Sequence, residues 1–156
     1  MGNVLYRTLC GMPSGCPLTV IINSIINCIY IRIVWQEIMY TQNLHYLSLD
    51  AFHENCRLMT YGDDLWISVK DECIEKFNAE SIASVFAGYG IKFTNATKSN
   101  EIVPFTRIDD PDTTFLKCRF VRHQLRSNIW MAQLDERSVL EICNWTWKTQ
   151  RDLRAA

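Results

Sequence analysis

The apolar run from Leu18 to Trp35 is interrupted by polar residues at a helical spacing. Thr19, Asn23 and Asn27 recur at i, i+4 and i+8 within it, just after a proline that suits the first turn of a helix. The pattern predicts a mostly apolar helix with one polar stripe, running to about Tyr40. The β-branched residues would also suit strands, but a strand of this length is improbable and alternation is absent. By itself the stripe is more typical of a core helix whose asparagines find local partners.

Two strand-like segments flank a pair of adjacent aspartates. Residues 56–61 read CRLMTY and residues 65–69 read LWISV, with Gly62, Asp63 and Asp64 between them. Because tight turns tolerate glycine and aspartate, the segment predicts an antiparallel hairpin with both carboxylates at its tip. An ordinary aspartate-rich surface turn would give the same local pattern.

The rest of the chain predicts a helix, a second hairpin and the start of a helical subdomain. Apolar residues between positions 70 and 90 have roughly helical spacing and predict one amphipathic helix that ends at Gly88 or Gly90. Residues 113–123 alternate apolar and basic residues, which predicts a hairpin with three cations projecting to one side or its edge: Lys117, Arg119 and Arg122. A helix-like pattern begins at Asp135.

Composition predicts one globular domain with a substantial core. The chain has 156 residues, 48% of them hydrophobic, and a formal charge of -1, so overall basicity does not point to nucleic acid or an anionic membrane. Seven scattered cysteines without a C-x-x-C pair indicate free thiols, and a reducing cytosol fits them best. A transmembrane helix is not expected, because four polar residues interrupt the long apolar run: Asn23, Ser24, Asn27 and Arg32.

Four segments, taken in order, carry a family resemblance. They are GMPSGCPLTVIINS (residues 11–24), YGDD (61–64), YGIKFTNATKS (89–99) and FLKCRF (115–120). In this order and spacing they resemble motifs B, C, D and E of the RNA-dependent RNA polymerases of picorna-like (Picornavirales) positive-strand RNA viruses. The resemblance implies an α+β fold: a partial right-hand polymerase palm, with an antiparallel sheet and packed helices, in residues 1–122. The first helical part of the thumb would occupy residues 123–156.

The resemblance also implies roles for residues of motifs B and C. Asp63 matches the principal metal ligand of motif C, and Asp64 matches the second aspartate, whose role is looser or indirect. Ser14 and Gly15 match a loop that adjusts when template and nucleotide enter. Thr19 and Asn23 match the pair near the incoming ribose, where a hydroxyl and an amide on one helix face can read the 2′-OH.

Motifs D and E supply basic residues in this resemblance. Lys98 matches a lysine proposed to donate a proton to the leaving pyrophosphate, a form of general acid catalysis. Lys117 and Arg119 match a hairpin that supports the primer strand through backbone phosphates. From the residues alone, Lys98 would be a solvated loop lysine, and the other two would equally suit surface charge beside an apolar strand.

The cofactor implied is a pair of Mg²⁺ (or Mn²⁺) ions held by Asp63 and Asp64 and by a motif A aspartate outside these residues. We therefore expect a partial sequence of an RNA-directed RNA polymerase, a nucleotidyltransferase, that is inactive by itself. The implied partners are RNA template and primer, NTPs and other viral replication proteins. The implied location is the host cytoplasm, at a membrane-associated replication complex reached through partners.

Two other functions stay open at this point. A reverse transcriptase palm also places paired aspartates on a hairpin, although the YGDD wording and the helix after Pro17 favour an RNA-copying enzyme. The chain could instead be a non-catalytic, endogenised viral fragment that binds RNA through a sheet. Against this second alternative, the sequence lacks a pair of aromatic residues at the spacing of such a module.

Overall fold

The computed structural model describes residues 16–40, 48–95 and 101–142. The chain divides into two compact units, Met1–Phe105 and Thr106–Ala156. Each unit contains helix and antiparallel sheet, which confirms the predicted mixture of helices and antiparallel strands.

The first unit begins with the predicted long helix. Helix α1 spans Thr19–Tyr40 and is followed by the short helix α2, Leu49–Asn55. The hydrophobic pattern does not reveal α2, because seven residues are too few to establish a helical period. The Ser48 hydroxyl caps α2 by accepting a hydrogen bond from the Ala51 amide at 3.0 Å, and the buried Phe52 anchors the helix in the core.

The predicted hairpin is confirmed. Strands β1 (Cys56–Tyr61) and β2 (Asp64–Val69) pair antiparallel, with Tyr61 opposite Asp64. Gly62 and Asp63 form the two-residue turn, and Gly62 has φ of 64°. A positive φ at the first central residue but not at the second, Asp63, is typical of a type II′ turn, whose twist matches that of the strands. Glycine adopts this conformation without steric cost.

The single helix predicted between residues 70 and 90 is wrong, because the structure has two helices there. Helix α3 spans Asp71–Ile74 and helix α4 spans Ala79–Gly88. Asn78 separates them: its Oδ1 accepts a hydrogen bond from the Ser81 amide at 3.1 Å, and the Ser81 hydroxyl accepts one from the Asn78 amide at 3.0 Å. This reciprocal cap starts a new helix where the apolar spacing alone suggested continuity.

The core of the first unit surrounds the C-terminal half of α1. The Trp35 ring contacts Phe52 and Phe77 edge to face, with ring centroids 5.6 and 4.9 Å apart. Partly buried residues of the hairpin pack on this cluster, among them Leu58, Leu65 and Ile67. The fully buried residues include Ile31, Val34, Trp35, Met39, Phe52 and Phe77.

Helix α1 is also long and apolar enough, by length and composition alone, to cross a membrane. Its apolar composition is also explained in part by the contacts that the helix makes within the first unit. Trp35 and its neighbours lie in the core, and at the other end of the helix Ser24 and Asn27 hydrogen-bond the hairpin turn. The C-terminal half of the helix is therefore part of the core of the first unit.

The second unit contains strands β3 (Thr114–Phe115), β4 (Cys118–His123) and β5 (Arg126–Leu134), followed by helix α5 (Glu136–Ile142). The predicted hairpin is confirmed as β3–β4, with Leu116 and Lys117 in its turn at φ of 52° and 62°. Strand β5 was not predicted, and it pairs antiparallel with β4. Helix α5 confirms the start of the predicted helix, whose residues beyond 142 lie outside the described part.

Burial changes the chemistry of two core cysteines. Burial raises the pKa of the Cys56 thiol to about 12, with a smaller contribution from Cys73. Burial also raises the pKa of Cys73, and the negative charge of Glu72 raises it further by a smaller amount. Both thiols are therefore protonated at neutral pH and poorly nucleophilic.

The Cys56 shift predicts a pH-dependent loss of stability. Between about pH 9 and pH 12 the folded chain keeps the Cys56 proton while the unfolded chain releases it, so rising pH favours unfolding. Cys56→Ala should reduce this decline by up to about 1.4 kcal/mol per pH unit. Urea unfolding of the wild type and of Cys56→Ala at about pH 8 and about pH 10 measures how much stability each loses as the pH rises. Equal slopes for the two chains would contradict the prediction.

Gly62 and Gly88 give a matched test of the turn conformation. A Cβ at either position would meet no atom within 4 Å, but only Gly62 has a positive φ. Gly62→Ala should therefore lower the free energy of unfolding by about 1–2 kcal/mol through backbone strain alone. Gly88→Ala, in a helix, should leave it unchanged or raise it by up to about 1 kcal/mol. Urea unfolding of both variants decides, and equal losses would argue against a strained turn.

Candidate active site

Two carboxylates stand at the exposed tip of the β1–β2 hairpin. Asp63 is the second residue of the turn and Asp64 is the first residue of β2, and both are solvent-exposed. Within the described part of the chain, no ion pair or hydrogen bond neutralises either side chain. The hairpin therefore offers two adjacent negative groups to solvent or to a ligand.

Helix α1 holds the turn from beneath. The Gly62 amide donates a hydrogen bond to the Ser24 hydroxyl at 2.8 Å, and the Asn27 side-chain amide donates one to the Gly62 carbonyl at 2.7 Å. One residue earlier in the hairpin, the Thr60 hydroxyl donates to the Ser24 carbonyl at 3.4 Å and lies 3.5 Å from the Cys28 sulfur. Helix α1 and the hairpin turn therefore meet directly, mainly through hydrogen bonds between side chains and backbone.

The polar stripe of α1 points along the same face as this contact. Thr19, Asn23 and Asn27 are all half-buried and follow one another at one-turn intervals. Asn27 reaches the turn itself. By helix geometry, Asn23 lies about 6 Å and Thr19 about 12 Å further along the helix axis. The structure thus brings the predicted ribose-reading residues and the predicted metal ligands onto one rigid support.

The sequence pattern does not single out Ser24 and Asn27, the two residues that hydrogen-bond the backbone of Gly62. Neither residue is among those to which the motif resemblance gives a role. Their spacing of i, i+3 in an apolar helix was a signal, since such residues share a face and need partners. The partner itself could not be identified, because Gly62 lies 35 residues beyond Asn27.

Three of the predicted residues, Ser14, Gly15 and Lys98, lie outside the described residues. Lys117 and Arg119 lie in the second unit, Lys117 in the turn before β4 and Arg119 on β4 opposite Gln133. Both side chains are exposed. Nothing in the geometry of the second unit by itself joins them to the hairpin tip of the first.

The expectation that Lys117, Arg119 and Arg122 share one side is wrong for the two arginines. They are three residues apart on β4, and the irregularity in its pairing with β5 comes after Arg122, so they point to opposite faces. The Arg122 guanidinium lies 4.8 Å from the centre of the Trp130 ring, in a cation–π contact on its own face. Arg119 is therefore the arginine of this strand left to meet a ligand on the opposite face.

The donor set at the hairpin tip fits a hard divalent cation. Carboxylate oxygens are the ligands that Mg²⁺ prefers, and Mg²⁺ keeps several waters, so few protein ligands suffice. The exposed and unneutralised state of both aspartates is consistent with such a role. In residues 16–40, 48–95 and 101–142 no group of three histidine, cysteine, aspartate or glutamate side chains forms a metal cluster. Further ligands would have to come from elsewhere.

Comparison with known proteins identifies viral polyproteins over nearly the whole chain. The chain is 40% identical over 144 residues to the genome polyprotein of deformed wing virus, covering 92% of this chain and 5% of the polyprotein. It is 37% identical over 138 residues to the RNA1 polyprotein of cowpea mosaic virus, covering 88% of this chain and 7% of the polyprotein. It is 33% identical over 149 residues to the replicase polyprotein of cricket paralysis virus, covering 95% of this chain and 8% of the polyprotein.

The chain thus spans less than a tenth of these relatives, all from picorna-like viruses. The profile of one protein family, described as viral RNA-dependent RNA polymerase, matches residues 1–155. That match includes every motif on which the resemblance rests and both units of the structure. The chain therefore belongs to the viral RNA-dependent RNA polymerase family.

Proposed function

We propose that this chain is part of the palm of an RNA-directed RNA polymerase that adds NTPs to an RNA 3′ end during viral genome replication. The observation that carries the proposal is the exposed pair Asp63 and Asp64 on a turn held by α1. The proposal assigns the palm to residues 1–122 and the beginning of the thumb to residues 123–156, a boundary that the β4–β5 hairpin spans. Family membership supports this assignment.

Asp63 is proposed as the principal ligand of the metal site and Asp64 as a looser or indirect one. Two Mg²⁺ or Mn²⁺ ions, when bound, would activate the primer hydroxyl and neutralise the leaving pyrophosphate. The chain's own part is to hold the two carboxylates in place at an exposed tip, where RNA and a triphosphate have access. A motif A aspartate outside this chain would complete the site, so the chain alone is expected to be inactive.

The first turns of α1 are proposed to read the incoming ribose. Thr19 supplies a hydroxyl and Asn23 an amide, and both can hydrogen-bond a 2′-OH. Ser14 and Gly15 are proposed to adjust as template and nucleotide enter, with glycine supplying backbone freedom. Lys98 is proposed to donate a proton to pyrophosphate as it leaves. All three groups of residues take these roles from the motifs that they match.

The second unit is proposed to support the primer strand. Lys117 and Arg119 are exposed cations on neighbouring positions of one hairpin, and such side chains bind backbone phosphates without reading sequence. The partners of the whole enzyme would then be RNA template and primer, NTPs and other viral replication proteins. Its proposed place is a membrane-associated replication complex in the host cytoplasm, reached through those proteins.

The two alternatives are less well supported. A reverse transcriptase palm would share the hairpin, but the family to which the chain belongs copies RNA from RNA by its description. A module that binds RNA without catalysis would have to tolerate two exposed carboxylates that no neighbouring group of the described chain neutralises. Such charges repel phosphates unless cations intervene, which favours a metal-dependent role for the tip.

Removing one charge from the hairpin tip tests the metal role. In the full-length polymerase that contains this chain, Asp63→Asn should abolish template-dependent NTP incorporation, because the amide is a weaker ligand of similar shape. Asp50→Asn, at an exposed aspartate in the first turn of α2, is the control and should leave incorporation unchanged. Primer extension with a labelled NTP measures both. Normal extension by the Asp63 variant would contradict the proposed function.

Discrimination between NTPs and dNTPs tests the role of α1. Asn23→Ala and Thr19→Val should lower the ratio of kcat/KM for an NTP to that for the matching dNTP by roughly tenfold, the value of one lost hydrogen bond. Asn55→Ala is the control, since its side-chain amide donates to the Ala51 carbonyl at 2.8 Å, far from the turn. An unchanged ratio in both α1 variants would remove these residues from ribose recognition.

A further inference from the structure

Both backbone polar groups of Gly62 are taken by side chains of α1. Its amide donates to the Ser24 hydroxyl at 2.8 Å, and its carbonyl accepts from the Asn27 amide at 2.7 Å. Gly62 is buried, so these groups cannot turn to water instead. In a two-residue turn the strand ladder uses the flanking residues, here Tyr61 and Asp64, which leaves the groups of Gly62 for α1.

The Ser24 hydroxyl is oriented for this task. It donates its own proton to the Val20 carbonyl at 2.7 Å, one helical turn earlier. A hydroxyl has one proton and two lone pairs, so a lone pair remains to accept the Gly62 amide. The amide of Asn27, in turn, is the donor that a carbonyl requires. The two side chains thus present one acceptor and one donor, matched to the two groups of a single residue.

The bond from Asn27 acts on the peptide group next to Asp63. The carbonyl of Gly62 belongs to the planar peptide that ends at the Asp63 nitrogen, so holding the oxygen fixes that plane. The plane in turn limits where the Asp63 Cβ can point. Because no hydrogen bond or ion pair within the described residues holds the Asp63 carboxylate, its position depends on the backbone that carries it.

We infer that Ser24 and Asn27 are positioning residues for the Asp63 carboxylate, because together they fix the peptide group that precedes it. The inference rests on the proposed role of Asp63 as a metal ligand. Since Thr19 and Asn23 stand on the same helix, α1 also sets a constant distance between the ribose-reading groups and the metal ligand. A nucleotide accepted by the first turns of α1 is then delivered at a defined distance from the cation site.

The test uses the full-length polymerase and two pairs of matched variants. Ser24→Ala and Asn27→Leu each remove one bond to Gly62. Ser48→Ala and Asn55→Leu each remove one hydrogen bond of the same chemical type elsewhere, at the cap of α2 and at its end. Asn55 lies at the far end of β1, roughly 20 Å of strand from the turn. Ser24→Thr keeps the hydroxyl and serves as the conservative variant.

The first readout needs no catalysis. Mn²⁺ binding in the absence of RNA and NTP, followed by electron paramagnetic resonance, should weaken roughly tenfold or more in Ser24→Ala and Asn27→Leu. Hydrogen exchange of the peptide containing Gly62 should become faster in the same two variants. Ser24→Thr should restore both properties. Ser48→Ala and Asn55→Leu should match the wild type in both.

The second readout is the kinetic pattern. Loss of positioning should lower kcat by roughly tenfold to a hundredfold with little change in the KM for NTP, since substrate contacts are retained. If all four alanine and leucine variants weaken Mn²⁺ binding alike, the effect is general destabilisation and the inference is wrong. If Ser24→Ala and Asn27→Leu bind Mn²⁺ like the wild type, it is equally wrong.

Asp63→Asn separates this inference from the proposed function. If that variant loses Mn²⁺ binding while Ser24→Ala and Asn27→Leu keep it, the metal role stands and only the positioning role fails. If Asp63→Asn itself binds Mn²⁺ normally, the proposed metal role fails, and the inference falls with it.

Discussion

A buried glycine backbone is the point on which the arrangement of the first unit depends. The turn at Gly62 and Asp63 presents two carboxylates to solvent, yet its own peptide groups are turned inward, where each needs a hydrogen-bond partner. Helix α1 supplies both partners. The requirement that a buried amide and carbonyl be satisfied therefore couples a helix and a hairpin that are distant in sequence, directly beside the Asp63 carboxylate.

Helix α1 serves two different environments along its length. Towards its C-terminal end, Trp35 packs against Phe52 and Phe77 in an aromatic core. Towards its N-terminal end, Ser24 and Asn27 contact the backbone of the hairpin. The core thus fixes the helix, and the helix fixes the turn. Through these contacts the core supports a turn whose aspartate side chains are exposed.

The exposed charges discussed above differ in sign between the two units of the chain. The formal charge of the whole chain is -1, so the proposed binding of RNA would depend on local groups rather than on the net charge. The hairpin tip gathers two negative charges, while the exposed cations Lys117 and Arg119 lie in the second unit. Arg122 of the same sheet is paired with Trp130.

The sequence by itself determined the long helix, both hairpins and the family, because polar spacing, turn residues and motif order are local properties of the chain. It could not reveal α2, which is too short to show a helical period. It also could not reveal the break at Asn78 or the strand β5. Nor could it show that Ser24 and Asn27 hydrogen-bond the backbone of Gly62. Only the tertiary structure decided that, since a hydrogen bond between residues 35 or more positions apart follows from packing and leaves no mark on the local pattern.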